Sequence, residues 1–122
     1  MTDTAQATAL FSTIDAKDTR KLLTFLTDDA QFCSGNQRPA VGAQAIASML
    51  DGFFTSIKAL RHDLRNTWTT ADHMICEGTV TYTRHDGSRL CVPFVDVLAM
   101  SGGLIKDFRI YVDVSQLYVA QQ

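Results

Sequence analysis

The sequence predicts an α+β domain, with helices in the first half and a meander of antiparallel strands in the second, curved around a mainly apolar pocket. Two patterns carry this reading. Up to residue 57 apolar side chains recur at helical spacing, whereas from residue 61 onward Val, Ile, Thr, Tyr and Phe fill four runs separated by turn signals. Helices followed by a strand meander build an α+β layer architecture and not a parallel sheet with crossovers. Size is the third observation. A chain of 122 residues is long enough for one core and too short for two, so a single domain over 1–122 is expected.

The elements follow in order. Within residues 5–15, Ala7, Leu10, Phe11 and Ile14 fall on one helical face. Asp18 suits the N-cap of a second helix whose buried side is Leu22, Leu23, Phe25 and Leu26. Both helices are short and need a packing partner to persist. A brief strand over residues 30–34 leads into a Pro39-containing loop at 35–42. The third helix, 43–57, carries Ile46, Leu50, Phe53 and Ile57 on one stripe, with Met49 alongside. The strands are then 61–70, 73–84, 89–100 and 104–114, joined at Ala71-Asp72, Asp86-Gly87 and Gly102-Gly103. Long strands in one sheet must twist, and a curved sheet closed by helices leaves a concave cavity of the kind that holds small ligands.

Composition removes several function classes. A net charge of −2 offers no basic field for nucleic acid and no polybasic patch for anionic lipid. No run approaches the roughly 20 apolar residues of a membrane span, and residues 1–9 lack the basic start of a signal peptide. Cys33, Cys76 and Cys91 are odd in number and not spaced as a disulfide framework or zinc site. Cys76 and Cys91 sit in apolar runs and read as small buried hydrophobes. A cytoplasmic location follows. The dispersed histidines and acids have no metal-ligand spacing, and no phosphate loop or serine-nucleophile signature is present, so neither metal nor cofactor is expected.

The stretch Leu26-Thr27-Asp28-Asp29-Ala30-Gln31-Phe32, followed by Pro39-Ala40-Val41-Gly42-Ala43-Gln44-Ala45-Ile46, resembles the SnoaL-like families of the nuclear transport factor 2-like superfamily. So do Val92-Pro93-Phe94-Val95-Asp96-Val97, Gly103-Leu104-Ile105 and Arg109-Ile110-Tyr111-Val112-Asp113. The resemblance covers almost the whole chain. It implies three N-terminal helices packed on a curved, mainly antiparallel sheet in a cone, a cystatin-like α+β roll, and it implies a homodimer. Relatives of that fold include polyketide cyclases, ketosteroid isomerase, limonene epoxide hydrolase and non-enzymatic domains. Ketosteroid isomerase uses an Asp base, a Tyr and a protonated Asp. Aligned on this chain, the protonated Asp resembles Asp96, but the Tyr falls at Leu10 and the base at Ser34. The Arg-x-Asp pair of limonene epoxide hydrolase has no counterpart in Cys76-Glu77-Gly78-Thr79-Val80-Thr81-Tyr82, and its last-strand Asp falls near Ile110. The acidic residue of the SnoaL-type cyclases is matched by Asp96.

Turn length decides which strand residues share a face. A three-residue loop pairing Met100 with Leu104 places Phe94, Asp96 and Leu98 with Phe108, Ile110 and Val112 on the pocket side. Arg109, Tyr111 and Asp113 then point away. A two-residue Gly102-Gly103 turn would instead set Arg109 against Asp96. A two-residue Asp86-Gly87 turn puts Thr79, Thr81 and Thr83 beside Asp96, and a three-residue loop puts Val80 and Tyr82 there; the ungapped resemblance favours the first. Asp96 is the candidate acid or base, because a carboxylate on an apolar face must be paired or protonated. His62, on the first long strand, is its candidate partner, and Trp68 shares the face of His62, since positions 62, 64, 66 and 68 alternate together. The expected pocket comprises Leu10, Trp68, Phe94, Leu98, Phe108, Ile110 and Val112, taking an apolar or aromatic small molecule. Two functions fit: cofactor-independent isomerisation, cyclisation or hydration, or a non-catalytic domain that binds a ligand or protein.

Overall fold

A computed structural model describes residues 3–119, so the ends of the expected domain, 1–2 and 120–122, lie outside the described residues. Helix α1 (Asp3–Asp15) buries Ala7, Leu10, Phe11 and Ile14, the stripe its spacing predicts. Helix α2 (Thr19–Leu23) is capped by Asp18, whose carboxylate accepts from the Lys21 N–H at 3.1 Å. It ends earlier than its apolar pattern suggests. The Ile105 N–H donates to the Phe25 carbonyl at 2.8 Å, which draws the chain into strand β1 (Leu26–Ser34) four residues ahead of the expected start. A two-residue strand, β2 (Ala40–Val41), interrupts the loop that follows. Helix α3 (Ala43–Ser56) buries Ile46, Leu50 and Phe54, with Ile57 just beyond, while Phe53, expected on that stripe, is half-buried. Lys17 seats the C-terminal end of α3: its Nζ donates to the carbonyls of Phe54, Ile57 and Lys58 at 2.9, 2.7 and 2.9 Å.

Strands β3 (Ala59–Thr69), β4 (His73–Thr83), β5 (Arg89–Ser101) and β6 (Leu104–Val112) form the meander. The sheet order is β2-β1-β6-β5-β4-β3, with β1 parallel to β6 and all other neighbours antiparallel. Along β4 the inner face is Met74, Cys76, Gly78, Val80 and Tyr82, all buried, and the residues between them are half-buried.

Three details of register decide what faces inward. The β4–β5 loop is a three-residue one, His85-Asp86-Gly87, flanked by a 2.8 Å bond from the Arg84 N–H to the Ser88 carbonyl. Gly87 takes φ +88° within it. Val80 and Tyr82 therefore lie on the face of Asp96, and the threonines expected there point outward. The β5–β6 turn has two residues, not three: Gly102 and Gly103 adopt φ +58° and +82°, and Ser101 pairs with Leu104. A bulge then gives Lys106 no partner, since Met100 opposes Ile105 and Ala99 opposes Asp107. The extra residue restores the parity that the shorter turn removes. Asp96 consequently opposes Ile110, and Arg109 stays on the outside.

The third detail lies in β3. Leu64 opposes Gly78 and Asn66 opposes Glu77, so Arg65 is an extra residue. The bulged backbone crosses Gly78 so closely that a Cβ there would overlap the Asp63 carbonyl oxygen. Beyond the bulge inside and outside exchange. At the far end of the chain, Arg84 donates to the carbonyls of Leu117 and Gln116 at 2.8 and 2.9 Å, and Leu117 is buried. These bonds hold the tail across the end of α3, where Ser56 Oγ meets Tyr118 Oη at 2.8 Å.

Candidate functional site

The concave face of the sheet and the helices enclose a cavity of about 120 Å³. A void of about 150 Å³ accommodates benzene, so the space suits one ring-sized group. Its walls come from every layer: Phe32 of β1, Met49, Leu50, Phe53 and Phe54 of α3, Leu60 and His62 of β3, Val80 and Tyr82 of β4, Phe94 and Asp96 of β5, Ile110 and Val112 of β6, and Val114 of the tail. Ser34 and Gln37 add polar groups beside the loop after β1. Among the described residues, no lysine or arginine lines it.

Asp96 is the chemical centre. It is 2% exposed, lies between Cys76 and Ile110 on the neighbouring strands, and its Oδ1 has no hydrogen-bond partner among the described residues. Burial alone raises its pKa well above the ordinary carboxylate value. Burial, then the charge of Asp96, pushes the Cys76 thiol up to about 11 and moves the Tyr82 phenol upward as well. Burial thus favours the protonated form of Asp96, the form able to donate a hydrogen bond or a proton.

His62 points inward and lines the same cavity, but its partner is not Asp96. Its Nδ1 lies 2.6 Å from Asp15 Oδ1, and its backbone N–H donates to Asp15 Oδ2 at 2.9 Å. The imidazole packs in a three-ring cluster with Phe11, centroids 4.9 Å apart, and Phe94, at 5.0 Å and perpendicular, the two phenylalanine rings themselves lying 5.4 Å apart. Asp15 was not singled out from the sequence. Its one signal there is an acid in the last turn of a helix, where the macrodipole disfavours negative charge.

The expected pocket needs correction at four positions. Phe94, Ile110 and Val112 line the cavity. Leu10, Leu98 and Phe108 are 0–1% exposed and belong to the packed core, outside the cavity lining. Trp68 is 53% exposed on the outer face, since the bulge at Arg65 reverses the alternation after His62. Cys91, expected to be buried, is exposed on that face too. Glu77 accepts from Asn66 Nδ2 at 2.7 Å, and Arg109 pairs with Asp107 at 3.0 Å, both away from the cavity. His73 bonds Asp72 at 2.8 Å beside its turn. Among the described residues there is no cluster of three His, Cys, Asp or Glu fit to hold a metal, and no helix long and apolar enough to cross a membrane.

Helices closing a curved mixed sheet over an apolar cavity with one buried acid define a small-molecule pocket protein of the nuclear transport factor 2-like fold. The chain belongs to the SnoaL-like domain family, whose model matches residues 7–108. No curated protein matches it. Among solved structures it is similar to an NTF2-like protein from Burkholderia pseudomallei K96243, with 16% identity, 96% of this chain and 95% of that one covered, and a TM-score of 0.84. It is also similar to TerC co-crystallised with polyporic acid (18% identity, 92% of each chain, TM-score 0.81). A third neighbour is a protein assigned as a SnoaL-like polyketide cyclase from Jannaschia sp. CCS1 (14% identity, 96% and 89% covered, TM-score 0.82). At these identities the likeness is one of fold.

Proposed function

We propose that the cavity binds a neutral, apolar or aromatic small molecule and performs cofactor-independent acid/base chemistry on it, of the isomerisation, cyclisation or hydration class. Asp96 is the acid or base, and His62, bonded to Asp15, is a second proton-transfer group in the lining of the same cavity. One observation carries the reading: a carboxyl group held almost free of water, with an unpartnered oxygen, in the wall of an otherwise apolar cavity. Such a group costs stability and has no ion pair to offset it, which is the pattern of a site kept for chemistry. Among the described residues the lining carries no lysine or arginine, which argues against anionic substrates. A neutral Asp96 suits an oxygen that gains negative charge during reaction. The co-crystallised ligand of the TerC neighbour and the cyclase assignment of another accord with an aromatic or polyketide-like ligand.

The test is thermal shift over a library of neutral ring compounds, followed by turnover assays on any hit. A ligand present at 100 times its dissociation constant stabilises by about 2.7 kcal/mol, a rise of about 10 °C for a domain of this size. Asp96→Asn should bind such a hit within about tenfold and lose turnover by about 100-fold or more. Equal turnover by wild type and Asp96→Asn would remove Asp96 from the mechanism. Binding without turnover by the wild type would mark a ligand-binding domain instead.

The chain is further proposed to be a cytoplasmic homodimer joined through the outer sheet face. Three free cysteines support the compartment. The dimer is supported by a continuous apolar patch: Tyr111 and Val95, 51% and 36% exposed, are cross-strand partners, and Trp68, Ile75 and Val97 form the next row. Sedimentation at micromolar concentration should show two copies, and Tyr111→Glu should separate them. A monomeric wild type would end that reading.

A further inference from the structure

Asp15 and His62 form a bonded pair at the edge of the cavity. The carboxylate of Asp15 makes two bonds to one residue, to Nδ1 and to the backbone N–H of His62, at 2.6 and 2.9 Å. Two anchors fix both the position of the residue and the direction of its ring. A carboxylate only accepts, so the Nδ1 contact puts a proton on Nδ1, and in the neutral ring Nε2 is then the bare nitrogen. Nε2 has no hydrogen-bond partner among the described residues, and the ring lines the cavity that holds Asp96. Phe11 and Phe94 pack against the imidazole from one side, as a cluster of three rings. Packing alone gives no reason for this acid. Asp15 ends α1, where a negative charge opposes the helix dipole, and its acceptors are spent on a residue of the cavity wall.

We propose that Asp15 is a positioning residue which holds His62 as the Nδ1–H tautomer, making Nε2 the proton acceptor of the cavity and leaving Asp96 as the hydrogen-bond and proton donor. The division of labour follows from the two environments. The carboxylate behind His62 stabilises the imidazolium formed when Nε2 takes a proton. Asp96 has no such support and keeps its own proton. A substrate fitting this pair is a neutral ring compound with an acidic C–H or O–H near Nε2 and a carbonyl or hydroxyl oxygen near Asp96. In the reaction step the C–H or O–H bond breaks, its proton goes to Nε2, and the electron pair passes toward the oxygen that Asp96 bonds. Return of the proton from Nε2 to another atom completes an isomerisation without any other reactant.

The inference rests on the cavity being a reaction site, yet it is testable without a substrate. Two-bond nitrogen–proton NMR on the imidazole rings, at a pH of about 8.5 where histidine is neutral, reports the tautomer of each ring. Wild-type His62 should be the Nδ1–H form, the minor one for histidine in water, while exposed His85 shows the usual Nε2–H form. Asp15→Asn presents an amide donor to Nδ1 and should move His62 to the Nε2–H form, a reversal of at least tenfold. An Nε2–H majority in the wild type overturns the proposal. So does an unchanged tautomer ratio in folded Asp15→Asn. If that variant does not fold, the wild-type spectrum decides alone. Failure of the library screen to find any ligand would count against the reaction site and leave the tautomer result standing, so the two failures are separable. With a turned-over hit in hand, Asp15→Asn should lower kcat with KM little changed, whereas a merely structural Asp15 would leave kcat per folded molecule intact.

Discussion

At the scale of single residues, Asp96 ties function to stability. Its folded pKa lies above the unfolded one because burial penalises the charged form. Below the unfolded value, near 3.8, both states are protonated and the group is silent. Above it the unfolded chain releases a proton that the folded chain keeps, so stability falls as pH rises toward the raised folded value. The slope reaches about 1.4 kcal/mol per pH unit within that window. Asparagine does not titrate. The stability of Asp96→Asn relative to wild type should therefore increase between about pH 4 and pH 7, as urea midpoints at each pH will read. A difference independent of pH would mean that Asp96 is not a buried neutral acid. Other carboxylates titrate equally in both proteins and cancel in the comparison.

Between residue and fold, the irregularities of the strands select the cavity lining. Gly78 admits the β3 bulge, and any side chain there collides with the Asp63 carbonyl. Gly78→Ala should cost about 1–3 kcal/mol, as overpacking in a closed interior does, and chemical denaturation measures it; a loss under about 0.5 kcal/mol would show that the strands part easily at this point. The same bulge explains what the sequence hid. Alternation from His62 would carry Trp68 into the pocket, and nothing in Asp63-Leu64-Arg65-Asn66 announces the extra residue. At the β5–β6 hairpin two such effects cancel. The shorter Gly102-Gly103 turn and the bulge at Lys106 together return Asp96, Ile110 and Val112 to the expected face, with a partner shift of two residues. The β4–β5 loop had no compensating bulge, so leaning on a two-residue turn misplaced Tyr82. Helices were more legible, because a 3.6-residue stripe names its own buried face: Ala7, Leu10, Phe11 and Ile14 were readable directly. Asp15 was not, since its meaning depends on a strand residue 47 positions away.

For the molecule as a whole, the sheet, the helices and the tail meet around an apolar space lined by buried Asp96 and by His62, which Asp15 holds. The fold class followed from the change of periodicity near residue 60, which only a helices-then-meander chain satisfies. The pocket did not follow in detail, since burial separates core from lining and sequence pattern does not distinguish them: Leu98 and Asp96 share a face, yet only Asp96 reaches the cavity. Methyl-resolved NMR during titration with neutral monocyclic ketones and phenols tests the central claim most directly. A binding compound should shift the methyls of Leu60, Val80, Ile110 and Val112 around the cavity, leaving Leu10 and Leu98 of the core and Val95 of the outer face in place. Shifts confined to Val95 and Val97, or no shifts with any ring compound at millimolar concentration, would contradict the account.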